Sequence, residues 1–283
     1  LIFSKQGTQV ETGNEYCHTF KNESWTARKQ AQPQPDSIVY SAWLGYKRMD
    51  FYLDGRACIL IEPENQAKGN PWIWRTEFFG HEPQADSVLI SKGFFLAYVD
   101  VQDMYGAPAA IDIMDAFYEF LTNFKHLNPK VVLEGFSRGG LFALNWAARN
   151  PGRVSCIYLD APVCDFKSWP GGLGKSHKFP MDWEKLKKAY GFQTDEQAIT
   201  YKYNPVDHLA PLVKHHIPIL SVCGSADTIV PISENTGLLE KRYKETGGEI
   251  EIILKPGVGH HPHSLKNPEP IVSFIIDKMK RCP

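Results

Sequence analysis

Val131-Val132-Leu133-Glu134-Gly135-Phe136-Ser137-Arg138-Gly139-Gly140, with the run 141–148 behind it, reads as a strand, a sharp turn and a helix. The apolar triplet Val131, Val132 and Leu133 suits a buried strand. The following run, rich in Ala and Leu, has good helix propensity. Glycines stand two residues before and two after Ser137. A serine held at the tip of a strand-to-helix turn needs a strained backbone. Its neighbours two positions away must be small, or their side chains collide across the turn. Such a turn pushes the hydroxyl into solvent beside the amino end of a helix. Three fixed positions alone recur by chance in about one chain of this length in ten, so the flanking strand and helix carry the reading.

Outward from this turn the chain alternates. Residues 94–101 read as a strand followed by a polar loop, 102–106. Ile113, Phe117, Phe120, Leu121 and Phe124 repeat at helical spacing. Further strands are expected at 154–159, 217–223 and 250–254, with helices at 232–246 and 268–280. Strands alternating with helices imply a mostly parallel sheet covered on both faces. Upstream, 46–53 and 56–61 flank Asp54-Gly55 and read as a hairpin. Asn70-Pro71 reads as the start of a helix, with Asn70 as cap and Pro71 in its first turn. Residues 1–36 are polar, end near Gln32-Pro33-Gln34-Pro35 and read as an N-terminal arm. Residues 37–283 form one α/β domain. Within it, 165–209 interrupts the alternation with Trp169, Trp183 and several lysines, and is expected to cap the carboxyl end of the sheet.

The 283 residues are ample for a large core. Hydrophobic residues make up 43% and charged residues 22%, with a net charge of −1. That balance points to neither a nucleic-acid nor an anionic-membrane partner. No run of 18 apolar residues exists, so no membrane-spanning helix is expected. The six cysteines have no Cys-x-x-Cys spacing. Cys58, Cys156 and Cys223 lie in apolar runs and are expected to be buried thiols. Cys17 and Cys282 lie near the two ends, and spacing does not decide whether they pair. The chain begins at Leu1 rather than Met. The expectation is a removed leader and an exported, bacterial-type enzyme. Asn22-Glu23-Ser24 is a short glycosylation sequon, informative only in a eukaryotic secretory setting.

A serine hydroxyl is a poor nucleophile unless a base lies within hydrogen-bond reach and a third group orients that base. Two later strands supply candidates. Asp227 follows one in Gly224-Ser225-Ala226-Asp227-Thr228-Ile229-Val230-Pro231, and His260 follows the next in Gly257-Val258-Gly259-His260-His261. Loops at the carboxyl ends of parallel strands are where the sites of open α/β sheets form. Asp165 is the rival acid and His261 the rival base. His260, His261 and His263 form a cluster of a metal-binding residue type, but Pro262 interrupts it and no carboxylate or cysteine sits at ligand spacing. Neither a metal nor any other cofactor is expected.

On these residues the chain, over about 37–281, resembles the α/β-hydrolase fold family, in its serine-esterase and prolyl-oligopeptidase-like branch. That family orders its catalytic residues Ser, acid, His, matched here by Ser137, Asp227 and His260. The resemblance implies an oxyanion hole with one donor from the Arg138 backbone N–H. It draws the second from the loop after the strand 56–61, where Trp72 is the candidate. Trp74, Arg75, Asp103, Tyr105 and Trp169 are candidates for contacting substrate: the tryptophans by stacking and Arg75 by pairing with a carboxylate.

The expected activity is hydrolysis of a small acyl ester on a polar molecule such as an acylated carbohydrate, through an acyl-enzyme. The alternatives are a prolyl-oligopeptidase-like serine peptidase and a non-catalytic ligand-binding protein on the same fold. An aminopeptidase variant would need an acidic anchor such as Glu62 or Glu64. Lyase and acyltransferase chemistry can use the same three residues, and fold alone does not separate these activities.

Overall fold

The computed structural model describes residues 35–281. Asp36 opens the first strand, so all of the expected arm except Pro35 and Asp36 lies outside the described residues. So do Cys17, Cys282 and the sequon.

Among the described residues nine strands form one sheet. In chain order they are β1 (Asp36–Trp43), β2 (Tyr46–Leu53), β3 (Arg56–Glu62), β4 (Trp72–Arg75), β5 (Phe95–Val99), β6 (Val131–Phe136), β7 (Val154–Asp160), β8 (Ile219–Gly224) and β9 (Ile250–Lys255). The helices are α1 (Gln84–Ser91), α2 (Pro108–Phe124), α3 (Gly139–Arg149), α4 (Pro180–Tyr190), α5 (Asp195–Ile199), α6 (Ala210–Lys214), α7 (Thr236–Glu245) and α8 (Glu269–Arg281). The spatial order is β1-β2-β3-β5-β4-β6-β7-β8-β9. The first three strands are antiparallel, and β3 joins β5 antiparallel. From β5 to β9 every pairing is parallel.

Period-two alternation divides the core into two layers. Trp72, Trp74, Val131 and Leu133 face α2, α3 and α7. Ile73, Val132, Phe136 and Tyr158 face α1 and α8. The central strands β4 to β8 are buried along their whole length, as expected of parallel strands covered on both sides. Cys58, Cys156, Cys164 and Cys223 are buried. No helix among the described residues is long and apolar enough to cross a membrane.

The helix expected to start at Asn70-Pro71 is instead strand β4. Asn70 adopts φ +49 and donates its side-chain N–H to the His126 carbonyl at 3.0 Å, so it closes a loop. The four residues Trp-Ile-Trp-Arg are buried on both faces between β5 and β6. Sheet burial of bulky β-formers overrides the local helix-start signal.

The segment 165–209 carries α4 and α5 and builds a small core of its own. Phe166, Trp169, Trp183 and Leu186 pack with Tyr105, Leu141, Val163 and Val230. Those last four residues stand at or beyond the carboxyl ends of β5, β6, β7 and β8. The segment therefore lies over the edge of the sheet on which Ser137 stands.

Candidate active site

Ser137 is the first residue beyond β6 and has φ +48, left-handed backbone that non-glycine residues rarely adopt. Three backbone bonds fix it there. Its N–H donates to the Asp160 carbonyl at 2.9 Å, and its carbonyl accepts from Gly140 at 3.0 Å and Val163 at 2.8 Å. The small flanking residues are explained by distance. A Cβ on Gly135 would stand 2.9 Å from the Gly139 carbonyl oxygen and 3.1 Å from the Ala143 Cβ.

Asp227 lies three residues beyond β8 and His260 five beyond β9. Their loops are laced together: Ser225 N–H donates to the Lys255 carbonyl at 3.0 Å and Ala226 N–H to the Val258 carbonyl at 2.9 Å. Gly224 is glycine because a Cβ there would run into the backbone of Val258 and Gly259. Asp227 Oδ1 accepts the N–H groups of Ile229 and Val230, both at 2.9 Å. Its Oδ2 lies 2.7 Å from His260 Nδ1, and His260 Nε2 lies 2.9 Å from Ser137 Oγ. A carboxylate beside Nδ1 keeps the proton on that nitrogen, so the Nε2 lone pair points at the serine hydroxyl. Asp227 and His260 are 7% and 8% exposed, which shields the line from bulk water. The rival acid, Asp165, is occupied elsewhere: it accepts from Lys167 N–H at 2.8 Å and pairs with the Lys167 ammonium at 3.7 Å.

Three expected site residues lie away from this line. Trp72 is buried at the start of β4, opposite Phe95, and its indole donates to the Asn128 carbonyl at 2.8 Å. The loop after β3 follows an antiparallel strand, so it and Glu62 and Glu64 lie at the amino ends of the parallel strands, opposite the site. Trp74 is core, stacked on Trp72 and edge-on to Trp146 and Phe117. Arg75 is fully buried: it donates to Asp86 Oδ2 at 2.7 Å, Glu134 Oε1 at 3.4 Å and the His81 carbonyl, under the Phe136 ring. Its side chain is closed off from solvent. Burial, reinforced by Asp86, pushes the Glu134 carboxyl well above its usual range, against the pull of Arg75.

Asp103 and Tyr105, from the loop after β5, stand against the Arg138 side chain, and Trp169, from the segment after β7, stands against Tyr105. Asp103 is held by Arg138 at 3.0 Å and Lys185 at 2.8 Å. Tyr105 is fully buried and donates to Asp182 at 2.7 Å, so it supports α4 rather than lining open space. Trp169 packs near Tyr105 and Phe179.

Sequence reasoning missed the loop after β4. Thr76 donates its hydroxyl to the carbonyls of Glu134 and Gly139 at 3.0 and 2.9 Å. The Glu77 backbone nitrogen lies 3.8 Å from where a Gly139 Cβ would stand. Glu77 accepts from the Arg138 guanidinium at 2.9 Å. Burial pushes the Glu77 carboxyl up to about 7, with Arg138 opposing. No sequence signal marked it: β4 lies beside β6, out of chain order, and only that placement brings the loop after it to the serine. The same loop carries His81 and Glu82, which meet His261 and His263 from the loop after β9. Burial and the neighbouring imidazoles lower the His261 pKa.

Solved structures share this architecture. Est1E from Butyrivibrio proteoclasticus superposes with a TM-score of 0.60 at 20% identity, covering 87% of this chain and all of that one. Acetyl xylan esterase 1 from Thermoanaerobacterium sp. gives 0.62 at 14%, covering 88% and 89%. Porphyromonas gingivalis dipeptidyl peptidase 4 gives 0.60 at 16%, covering 87% of this chain, which spans 36% of that protein's length. No curated protein matches the sequence. The fold is that of the α/β-hydrolases. The model of the prolyl oligopeptidase family matches residues 92–280, and the chain is thereby a member of that family of serine hydrolases.

Proposed function

We propose that the chain is a carboxylic ester hydrolase acting through Ser137, His260 and Asp227 by an acyl-enzyme. The observation that supports this most is the unbroken line from Asp227 to His260 to Ser137, with contacts of 2.7 and 2.9 Å. Ser137 Oγ attacks the acyl carbon as its proton passes to His260 Nε2. Asp227 holds Nδ1–H and stabilises the imidazolium. The negative oxygen of the tetrahedral intermediate meets the Arg138 backbone N–H and a second donor from the loop after β4, with the Glu77 N–H as the candidate. Collapse of the intermediate expels the alcohol, which takes the proton from Nε2. Water then attacks the acyl-enzyme by the same proton path and releases the acid.

The preferred substrate is a small acyl ester on a polar or carbohydrate alcohol. The charged surroundings of the serine turn support this: Arg138, the residue after Ser137, pairs with Asp103 and Asp182, and Lys185 pairs with Asp103. Likeness to an acetyl xylan esterase is consistent with it. The second reading, a prolyl-oligopeptidase-like peptidase, is favoured by the family itself.

The test is fluorophosphonate labelling with peptide mapping, followed by rates on p-nitrophenyl esters of increasing chain length, acetylated oligosaccharides and dipeptide anilides. The expected result is an adduct on Ser137, lost in His260→Ala, with acetyl esters turned over fastest. Preference for dipeptide anilides would favour the peptidase. No adduct on folded protein would leave a ligand-binding role.

A further inference from the structure

Beside the proposed catalytic line, two loops bring together groups that ester hydrolysis does not use. His81 and Glu82 come from the loop after β4, and His261 from the loop after β9. A ligand atom of each lies within 4.8 Å of the others. The His81 and His261 rings are 6.1 Å apart, and His81 Nε2 is 3.8 Å from Glu82 Oε1. The other carboxylate oxygen, Glu82 Oε2, is shielded from solvent and accepts no hydrogen bond from the described residues. A shielded carboxylate oxygen without a protein donor is able to take a water or an ion as its partner.

We propose that His81, Glu82 and His261 form a binding site for a divalent cation of the zinc class at the rim of the active site, and that its occupation inhibits the enzyme.

Two imidazole nitrogens and one carboxylate oxygen are a donor set suited to Zn²⁺, with the fourth position left to water. Tetrahedral bonds of about 2.0–2.1 Å put ligand atoms about 3.3 Å apart. His81 Nε2 and Glu82 Oε1, at 3.8 Å, need to close by about 0.5 Å, and the half-exposed His81 ring has room to turn toward His261. Inhibition follows from position. The His261 ring stands 4.9 Å from that of His260. A dication on His261 therefore lies close to the imidazole that must become positive as Ser137 attacks, and like charge opposes that step. The inhibition rests on the ester-hydrolase reading, whereas the binding does not.

Calorimetric titration of zinc chloride into the metal-free chain tests the site, with His81→Ala, Glu82→Gln and His261→Ala in parallel. One ion per chain is expected, with affinity at least about ten-fold weaker in each variant. Initial ester-hydrolysis rates of wild type should fall over the same zinc range. Those of His81→Ala and Glu82→Gln should equal wild type without zinc and resist inhibition. Absence of uptake by wild type at about 100 µM zinc overturns the site, as does equal binding by the variants. Binding lost in His260→Ala but kept in His81→Ala would move the ion to His260, His261 and His263 and overturn the assignment. Zinc bound as described without any fall in rate refutes the coupling. A chain inert toward esters would sink the hydrolase reading and leave calorimetry to decide the site.

Discussion

Replacing Asp227 by Asn should abolish most of the activity while leaving the fold in place, and the structure gives the reason. Asp227 Oδ1 accepts two backbone N–H groups at 2.9 Å. In the Asn variant an oxygen must stay at that position, because an amide NH₂ there would face two donors. The carboxamide is therefore held with its NH₂ toward His260 Nδ1. That nitrogen must then accept, so the proton moves to Nε2 and points at Ser137. The imidazole can no longer take the serine proton. A wrong tautomer in such a line costs about four decades in kcat, or about 5 kcal/mol of barrier at about 1.36 kcal/mol per decade. Stability should change by less than about 1 kcal/mol, since the shape and both backbone bonds survive. The assay is hydrolysis of p-nitrophenyl acetate, read beside fluorophosphonate labelling and a urea denaturation curve. A loss below about ten-fold, with the curve unchanged, would refute the tautomer argument and with it the role of Asp227.

Arg75→Ala should cost about 3–5 kcal/mol, because it leaves Asp86 and Glu134 buried beside each other without their shared cation; urea denaturation measures it. Glu77 gives a pH signature. Its folded carboxyl, at about 7 against 4.5 for the free group, keeps a proton that the unfolded chain has released. Its contribution to stability therefore falls as pH rises from about 4.5 to 7 and is flat above, a loss of about 3 kcal/mol. Denaturation at pH 5 and pH 8 should show that slope reduced in Glu77→Gln, and an unchanged slope would refute the assignment.

The turn at Ser137 was legible because it is local: strand, glycine spacing and helix lie within twenty residues. Asp227 and His260 could be read as loop residues because each closely follows an apolar strand run. The neighbourhood of β4 could not. A four-residue strand carries too little period to compete with Asn70-Pro71, and β4 sits between β5 and β6, out of chain order. That insertion takes Trp72, Trp74 and Arg75 into the core and sends the next loop, with Glu77, to the serine. His81 and Glu82 reach His261 from about 180 positions away, a proximity that no spacing rule detects.

The edge of the sheet has a consequence for how the molecule fails. Among the described residues strand β9 pairs with β8 alone, and most of its residues are only partly buried or exposed, whereas Trp72, Trp74 and Trp146 sit fully buried at the centre. Opening of a border strand needs less free energy than global unfolding. It would carry His260 away from Ser137 while the tryptophan cluster stays intact. Heating should thus silence the chemistry before indole fluorescence registers any change. The interval between the two temperatures would report the local cohesion of that last strand.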